Sequence, residues 1–275
     1  MPLSRLSGIP LLRLPLRAPR ASAVCLADGM DDIAANLRAV EDRIAAACRR
    51  ADRDPAAVQL LPVSKTMSIE KITAAYDAGY RRFGENKVQE AYDKWGRLRE
   101  LDGIEWAVIG HLQRNKARLV AEFASEFQAL DSLRLAKELD KRLQGEGRRL
   151  DVLVQVNSSG EESKFGLPPE EVVGFARELA AFDALRVRGL MTLAVFSSDE
   201  DKVAACFHRM VALQKQLRQA DAVSVGEGWH ELSMGMSGDY ELAIEHGATC
   251  VRVGQAIFGA RLDPNAYWPG VGGGN

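Results

Sequence analysis

A chain of 275 residues that is 47% hydrophobic and 27% charged carries enough apolar material for one large core or two small ones, and its formal net charge of −2 excludes the strongly basic balance of a nucleic-acid or membrane-surface protein. The basic runs, "RNKAR" and "GRR", are short and flanked by acids. Cys25, Cys48, Cys206 and Cys250 are scattered, with no CxxC pair and no nearby histidine, so they read as reduced thiols in a cytoplasmic setting and not as a metal site.

The first 29 residues hold Arg5, Arg13, Arg17 and Arg20 and no acid before Asp28, with prolines breaking every apolar run. They look like an organelle transit peptide, or else lie upstream of a true start at Met30; either way they are expected outside the fold. Organelle import is the alternative location if the leader is genuine. From Asp31 and Asp32 an amphipathic helix is predicted, followed by apolar, β-branched runs alternating with segments of helical period.

Eight strands are predicted: 58–64 (VQLLPVS), 81–85, 105–110, 127–131, 151–157, 186–192, 230–235 and 249–254. The helices between them have Ser68 before Glu70, Pro169 before Glu170 and Glu171, and Gly79 or Gly247 as closing residues. Eight such units across residues 30–265 predict a single α/β domain, a (β/α)8 TIM barrel with an extra N-terminal helix capping its bottom or packing at its side. A doubly wound open sheet is the alternative, disfavoured because no GxGxxG turn follows the first strand. Residues 266–275, ending "GVGGGN", read as a flexible tail.

Within the first strand Leu61, Val63 and Lys65 share parity, so an inward Leu61 and Val63 carry Lys65 to the barrel mouth, where barrel enzymes keep their chemistry. At the far end of the chain, Ser233, Gly235, Ser237 and Gly238 follow the seventh strand and Gly254 the eighth, a composition that suits a phosphate cradle. An amine facing a phosphate site suggests a phosphorylated carbonyl compound held as a Schiff base. Pyridoxal 5'-phosphate is the commonest, with Arg252 placed to reach its ring nitrogen.

The runs "PVSKT", "FGENKVQE", "IGHLQRNK", "VNSSGEESKFG", "RGLMTL" and "LSMGMSGDYELAIEHGATCVRVGQAIFGA" resemble the pyridoxal phosphate homeostasis protein family and span most of the chain from Met30 to Arg261. The resemblance implies an alanine racemase-like barrel, pyridoxal phosphate fold type III, without the C-terminal β domain, and with the cofactor on Lys65. It further implies Asn86 near the cofactor, Ser233, Met234 (through its backbone) and Ser237 at the phosphate, and Arg252 and Gly254 closing the site. One departure is visible: the family usually has a histidine after the tryptophan of the third strand, where this chain has Ala107.

His111 ends the third strand and is a candidate to face the site; His208 and His246 read as surface or packing residues, and His230 lies at the wrong end of the barrel. Lys164 reads as a solvated loop lysine. Two functions remain: a carrier that maintains vitamin B6 homeostasis and supplies pyridoxal phosphate to apo-enzymes, or a pyridoxal phosphate-dependent amino-acid racemase. A racemase needs a second acid/base group opposite Lys65. Among Tyr76, Tyr80, Tyr92, Tyr240 and Tyr267 only Tyr240 is expected near the mouth. The carrier is preferred, with no catalytic residue assigned and a monomer as the default.

Overall fold

Asp32 opens the fold as the acidic start predicts: its carboxylate accepts from the Ala35 N–H at 3.0 Å, and α1, Ile33–Arg50, buries Ile33, Leu37, Val40, Ile44 and Ala47 along one stripe. The computed structural model describes residues 32–220 and 228–259, all within the compact unit Asp31–Asn275. The expectations for the leader, Cys25, Tyr267 and the tail lie outside those residues.

After α1 come β1 (Gln59–Pro62), α2 (Ile69–Asp77), β2 (Arg82–Glu85), α3 (Val88–Leu98), β3 (Glu105–Val108), α4 (Ala117–Phe123), β4 (Glu126–Leu130) and α5 (Leu133–Gly145). The second half adds β5 (Leu150–Val156), α6 (Val172–Leu179), β6 (Leu185–Thr192), α7 (Glu200–Gln219), β7 (Glu231–Ser233), α8 (Tyr240–Glu245), β8 (Cys250–Val253) and α9 (Gln255–Phe258). All eight predicted strands form, each within a few residues of its expected bounds. The single turn of α9 was not in the predicted set, because four residues are too few to show a helical period.

From β2 to β8 each strand pairs in parallel with its sequence neighbour, and β8 pairs with β1. Between β1 and β2 the ring is joined by one bridge, Val63 to Gly84, with the Ser64 N–H donating to the Gly84 carbonyl at 2.9 Å. A ring of this order is a barrel, and the open-sheet alternative falls. Gly84 suits the junction, since a Cβ there would lie 3.2 Å from Leu61 Cδ2.

Gly79 and Gly247 close α2 and α8 as expected, at φ +104° and +97°. Ser68 precedes α2, yet its hydroxyl makes no cap bond to the helix. The Glu70 carboxylate instead engages its own backbone N–H and the Ser68 hydroxyl, which hold it below the usual carboxylate range. Of the two placements expected for α1, the structure has the side of the barrel: Asn36 Nδ2 donates to the Ile257 carbonyl at 2.9 Å, and Arg43 and Arg50 pair with Glu241 on α8.

The apolar core has two layers. A large one fills the space between strands and helices, while Leu61, Ala107 and Cys250, with Ile109 against them, form a small separate cluster inside the barrel. Ala107 thus stands in the lumen wall. Cys48, Cys206 and Cys250 are buried and unpaired, and burial pushes the Cys250 thiol up to about 11. No helix among the described residues is long and apolar enough to cross a membrane.

Much of the lumen is polar. Arg252 Nη1 donates to Ser233 Oγ at 2.6 Å, Ser233 donates to Gln128 Oε1 at 2.7 Å, and Gln128 Nε2 donates to Glu126 Oε1 at 2.6 Å. Arg82 then meets Glu126 Oε2 at 3.0 Å and Gln59 Oε1 at 2.8 Å. Because β7 and β4 are not neighbours in the sheet, the Ser233–Gln128 bond has to cross the barrel interior.

Gly189 marks the tightest strand contact, since a Cβ there would lie 1.9 Å from the Glu231 carbonyl oxygen on β7. Backbone cannot yield as a flexible side chain does. Gly189→Ala is expected to destabilise the fold by about 2–4 kcal/mol, at the upper end for an overpacked position. Urea denaturation against the parent chain measures it.

Candidate functional site

The inward parity of Leu61 and Val63 holds, and it delivers Lys65 to a cavity of about 640 Å³ at the C-terminal ends of the strands. Volume and position are those of a small-molecule site in this architecture. Val63, Lys65 and Met67 enter it from the end of β1, Asn86 from β2, Ile109, Gly110 and His111 from β3, and Gln155 from β5. Leu193 and Phe196 follow β6; Met236, Ser237 and Gly238 follow β7; Arg252, Gly254 and Gln255 come from β8 and its end.

The structure therefore brings Lys65, Asn86, Ser237, Arg252 and Gly254 together around one space. Ser233 and Met234 are not among the residues that line it. Strand β7 ends at Ser233, so that side chain points into the lumen, donating to Gln128 and accepting from Arg252, and does not line the cavity. Met234 is fully buried, and its N–H is taken by the Cys250 carbonyl at 3.1 Å. Ser237 reaches the cavity three residues later, on a turn that Asp239 ties by accepting the Met236 N–H at 2.6 Å. Burial raises the Asp239 pKa, partly offset by that N–H and by Arg252.

Arg252 is the most constrained of these residues. It is 3% exposed, with Nη1 on Ser233 and Nη2 on the Thr192 carbonyl at 2.7 Å. Burial pulls its pKa down from the ordinary guanidinium value, while Cys250, Asp239 and Glu126 push the other way. Close backbone approach explains two glycines at the rim: a Cβ on Gly254 would lie 2.9 Å from the Val63 carbonyl oxygen, and one on Gly110 would lie 2.1 Å from that of Asn86.

His111 does line the cavity. Its ring stacks on Phe165 with centroids 4.1 Å apart, and its Nδ1 lies 3.7 Å from Asp131, whose carboxyl burial raises and His111 lowers. Lys164 is not simply solvated: it donates to the Ala194 carbonyl at 2.9 Å and pairs with Glu161 at 2.5 Å, tying the loops after β5 and β6. His208 and His246 face each other at 4.3 Å on α7 and the end of α8, away from the cavity.

Tyr240 is buried outside the cavity lining, with the Arg43 guanidinium 5.3 Å from its ring. Tyr76, Tyr80 and Tyr92 donate to the Asp102 carbonyl, Glu41 and Glu122 respectively. None of these four described tyrosines lines the site. Sequence reasoning missed Gln155 in the lining and Gln128 beneath it. The available signal was a lone glutamine inside an apolar strand, at 155 in "DVLVQV" and at 128 in "EFQAL".

Two lining side chains are cationic, Lys65 and Arg252, and no carboxylate lines the cavity among the described residues. Such a donor set favours an anion, and Lys65 adds an amine nucleophile. Residues 35–262 match the family model for the alanine racemase N-terminal domain. The chain is 43% identical over 236 residues to the pyridoxal phosphate homeostasis protein of Escherichia coli K12, covering 84% of this chain and 98% of that protein. It also superposes on an unknown protein from Bifidobacterium adolescentis, with TM-score 0.74 and 36% identity over 82% of this chain and 94% of the other. The PipY protein of Synechococcus elongatus, solved with pyridoxal phosphate bound, gives TM-score 0.71 and 34% identity over 82% of this chain and all of PipY. With this barrel, this cavity and identity at that level over nearly the whole of its relatives, the chain belongs to the pyridoxal phosphate homeostasis protein family, built on the alanine racemase N-terminal fold.

Proposed function

We propose that this chain binds pyridoxal 5'-phosphate in the cavity at the barrel mouth, holds it on Lys65, and serves intracellular vitamin B6 homeostasis by supplying the cofactor to apo-enzymes. The observation that carries the reading is the lining itself: an amine and a buried guanidinium around one space whose described lining residues include no carboxylate, which suits a ligand that is both an aldehyde and a phosphate. Lys65 would hold the cofactor through its amine, and the cofactor, when bound, would supply an electrophilic aldehyde to that amine.

The remaining work belongs to the chain's own residues. Ser237 and Gly238 offer a hydroxyl and backbone to an anion, on the turn tied by Asp239. Arg252, locked by Ser233 and Thr192, presents a fixed positive charge that accepts no proton and donates none readily, so a ring nitrogen facing it stays unprotonated. Asn86 and His111 border the same space from β2 and β3.

The racemase reading finds no tyrosine in the lining to serve as its second base among the described residues. The four described tyrosines lie outside the lining, so no tyrosine hydroxyl among them faces Lys65 across the cavity. Binding tests the proposal directly. Pyridoxal phosphate is expected to bind roughly 10–100-fold more tightly than pyridoxal without the phosphate, the size of one or two charge-assisted hydrogen bonds. Absorbance titration measures both, and equal affinities would remove the phosphate from the reading.

A further inference from the structure

Both peptide groups of Lys65 are held from outside the cavity by three buried charged side chains. Glu85 ends β2, and Glu90 and Lys94 stand four residues apart on the inward face of α3. Lys94 Nζ donates to the Ser64 carbonyl at 2.7 Å, to Glu85 Oε1 at 2.6 Å and to Glu90 Oε1 at 2.7 Å. The same Glu85 oxygen accepts from the Ser64 hydroxyl at 2.6 Å, and Glu90 Oε1 accepts the Thr66 N–H at 2.6 Å.

The Ser64 carbonyl and the Thr66 N–H belong to the two peptide units that flank Lys65. Thr66 takes φ +61°, a left-handed conformation that a β-branched residue adopts only where surrounding contacts impose it. Lys94 and Glu85 are wholly buried, and a buried ion cluster is poor evidence of stabilisation, since apolar side chains of equal volume often serve a core as well. What apolar side chains would not do is grip those two peptide groups. Two carboxylates around one ammonium also leave an excess negative charge, and burial pushes Glu85 up to about 7 against the pull of Lys94.

We propose that Lys94 is a positioning residue for Lys65: with Glu85 and Glu90 it fixes both flanking peptide groups, so that the Lys65 amine is presented to an aldehyde in the cavity. This rests on the reading that Lys65 takes the cofactor. The test uses the full chain and two ligands, pyridoxal 5'-phosphate and pyridoxine 5'-phosphate, whose alcohol cannot condense with an amine. In Lys94→Met, covalent attachment at Lys65, trapped with cyanoborohydride and read by peptide mass, is expected to slow roughly tenfold or more, while pyridoxine 5'-phosphate affinity stays within about twofold of the parent chain.

A merely structural role would lower both together. Glu90→Gln keeps an acceptor for the Thr66 N–H and is expected to attach normally, whereas Glu90→Leu shows the same split as Lys94→Met. This pair carries the test if Lys94→Met does not fold. Parent-like attachment in both Lys94→Met and Glu90→Leu, or a parallel fall of both ligands, overturns the proposal alone. No attachment in the parent chain overturns the cofactor reading beneath it.

Discussion

Lys65→Ala is expected to abolish covalent attachment of pyridoxal phosphate and leave the barrel folded. Lys65 is half-buried at the mouth, beyond the last residue of β1 and outside its strand ladder. Its loss should change stability by less than about 1 kcal/mol. In the proposed reading the amine is the nucleophile, and neither Arg252 nor His111 in the lining offers an equivalent amine. Intact mass after cyanoborohydride treatment should show one added cofactor on the parent chain and none on the variant. Attachment at parent level through another lysine would refute the assignment. The same pair separates carrier from racemase: the carrier predicts no α-proton exchange of amino acids in deuterated water, and rapid exchange lost in Lys65→Ala would favour the enzyme.

Arg252→Leu should cost both stability and binding. Its buried guanidinium meets Ser233 Oγ and the Thr192 carbonyl, and leucine satisfies neither. One or two buried groups left with fewer partners correspond to about 2–4 kcal/mol, measurable by urea denaturation. Ligand affinity falls as well, since one of the two lining cations is gone. Gln128→Leu probes the same column without touching the cavity, and its cost depends on pH. Burial raises the Glu126 pKa against the pull of Arg82 and the Gln128 hydrogen bond. A carboxylate raised in the folded state costs nothing below its unfolded pKa, and stability is lost as pH rises from there through the folded value. Removing the Gln128 amide raises that value further. The destabilisation by Gln128→Leu should therefore be smaller at acid pH, where Glu126 is protonated, and larger at neutral pH; a cost that does not change with pH would place the charge elsewhere.

Local pattern was enough for the strands and for Lys65. Strand side chains alternate with a period of two, so within an eight-strand barrel the apolar Leu61 and Val63 set Lys65 inward, although β1 itself ends at Pro62. Composition was less decisive at Ser233. There the small residues of "LSMGMS" all suited a phosphate loop, and only the end of β7 at Ser233 assigns the first serine to the lumen and Ser237 to the mouth. Gln128 and Lys94 were less legible still. A polar residue in an apolar strand, or a lysine on the apolar face of a helix, announces that it needs a partner but not which one.

By itself, then, the sequence determined the eight βα units, the inward lysine, the glycines that close α2 and α8, and the resemblance of its motifs to a known family. Tertiary structure decided which polar groups meet. Pairing of β7 with β8 puts Arg252 beside Ser233, curling of the sheet sets Ser233 against Gln128 across 105 residues of sequence, and the junction of β1 with β2 lays the Lys94 cluster under Lys65. Hydrogen bonds act over about 3 Å in space, whatever the separation along the chain, so those partners exist only once the barrel has closed.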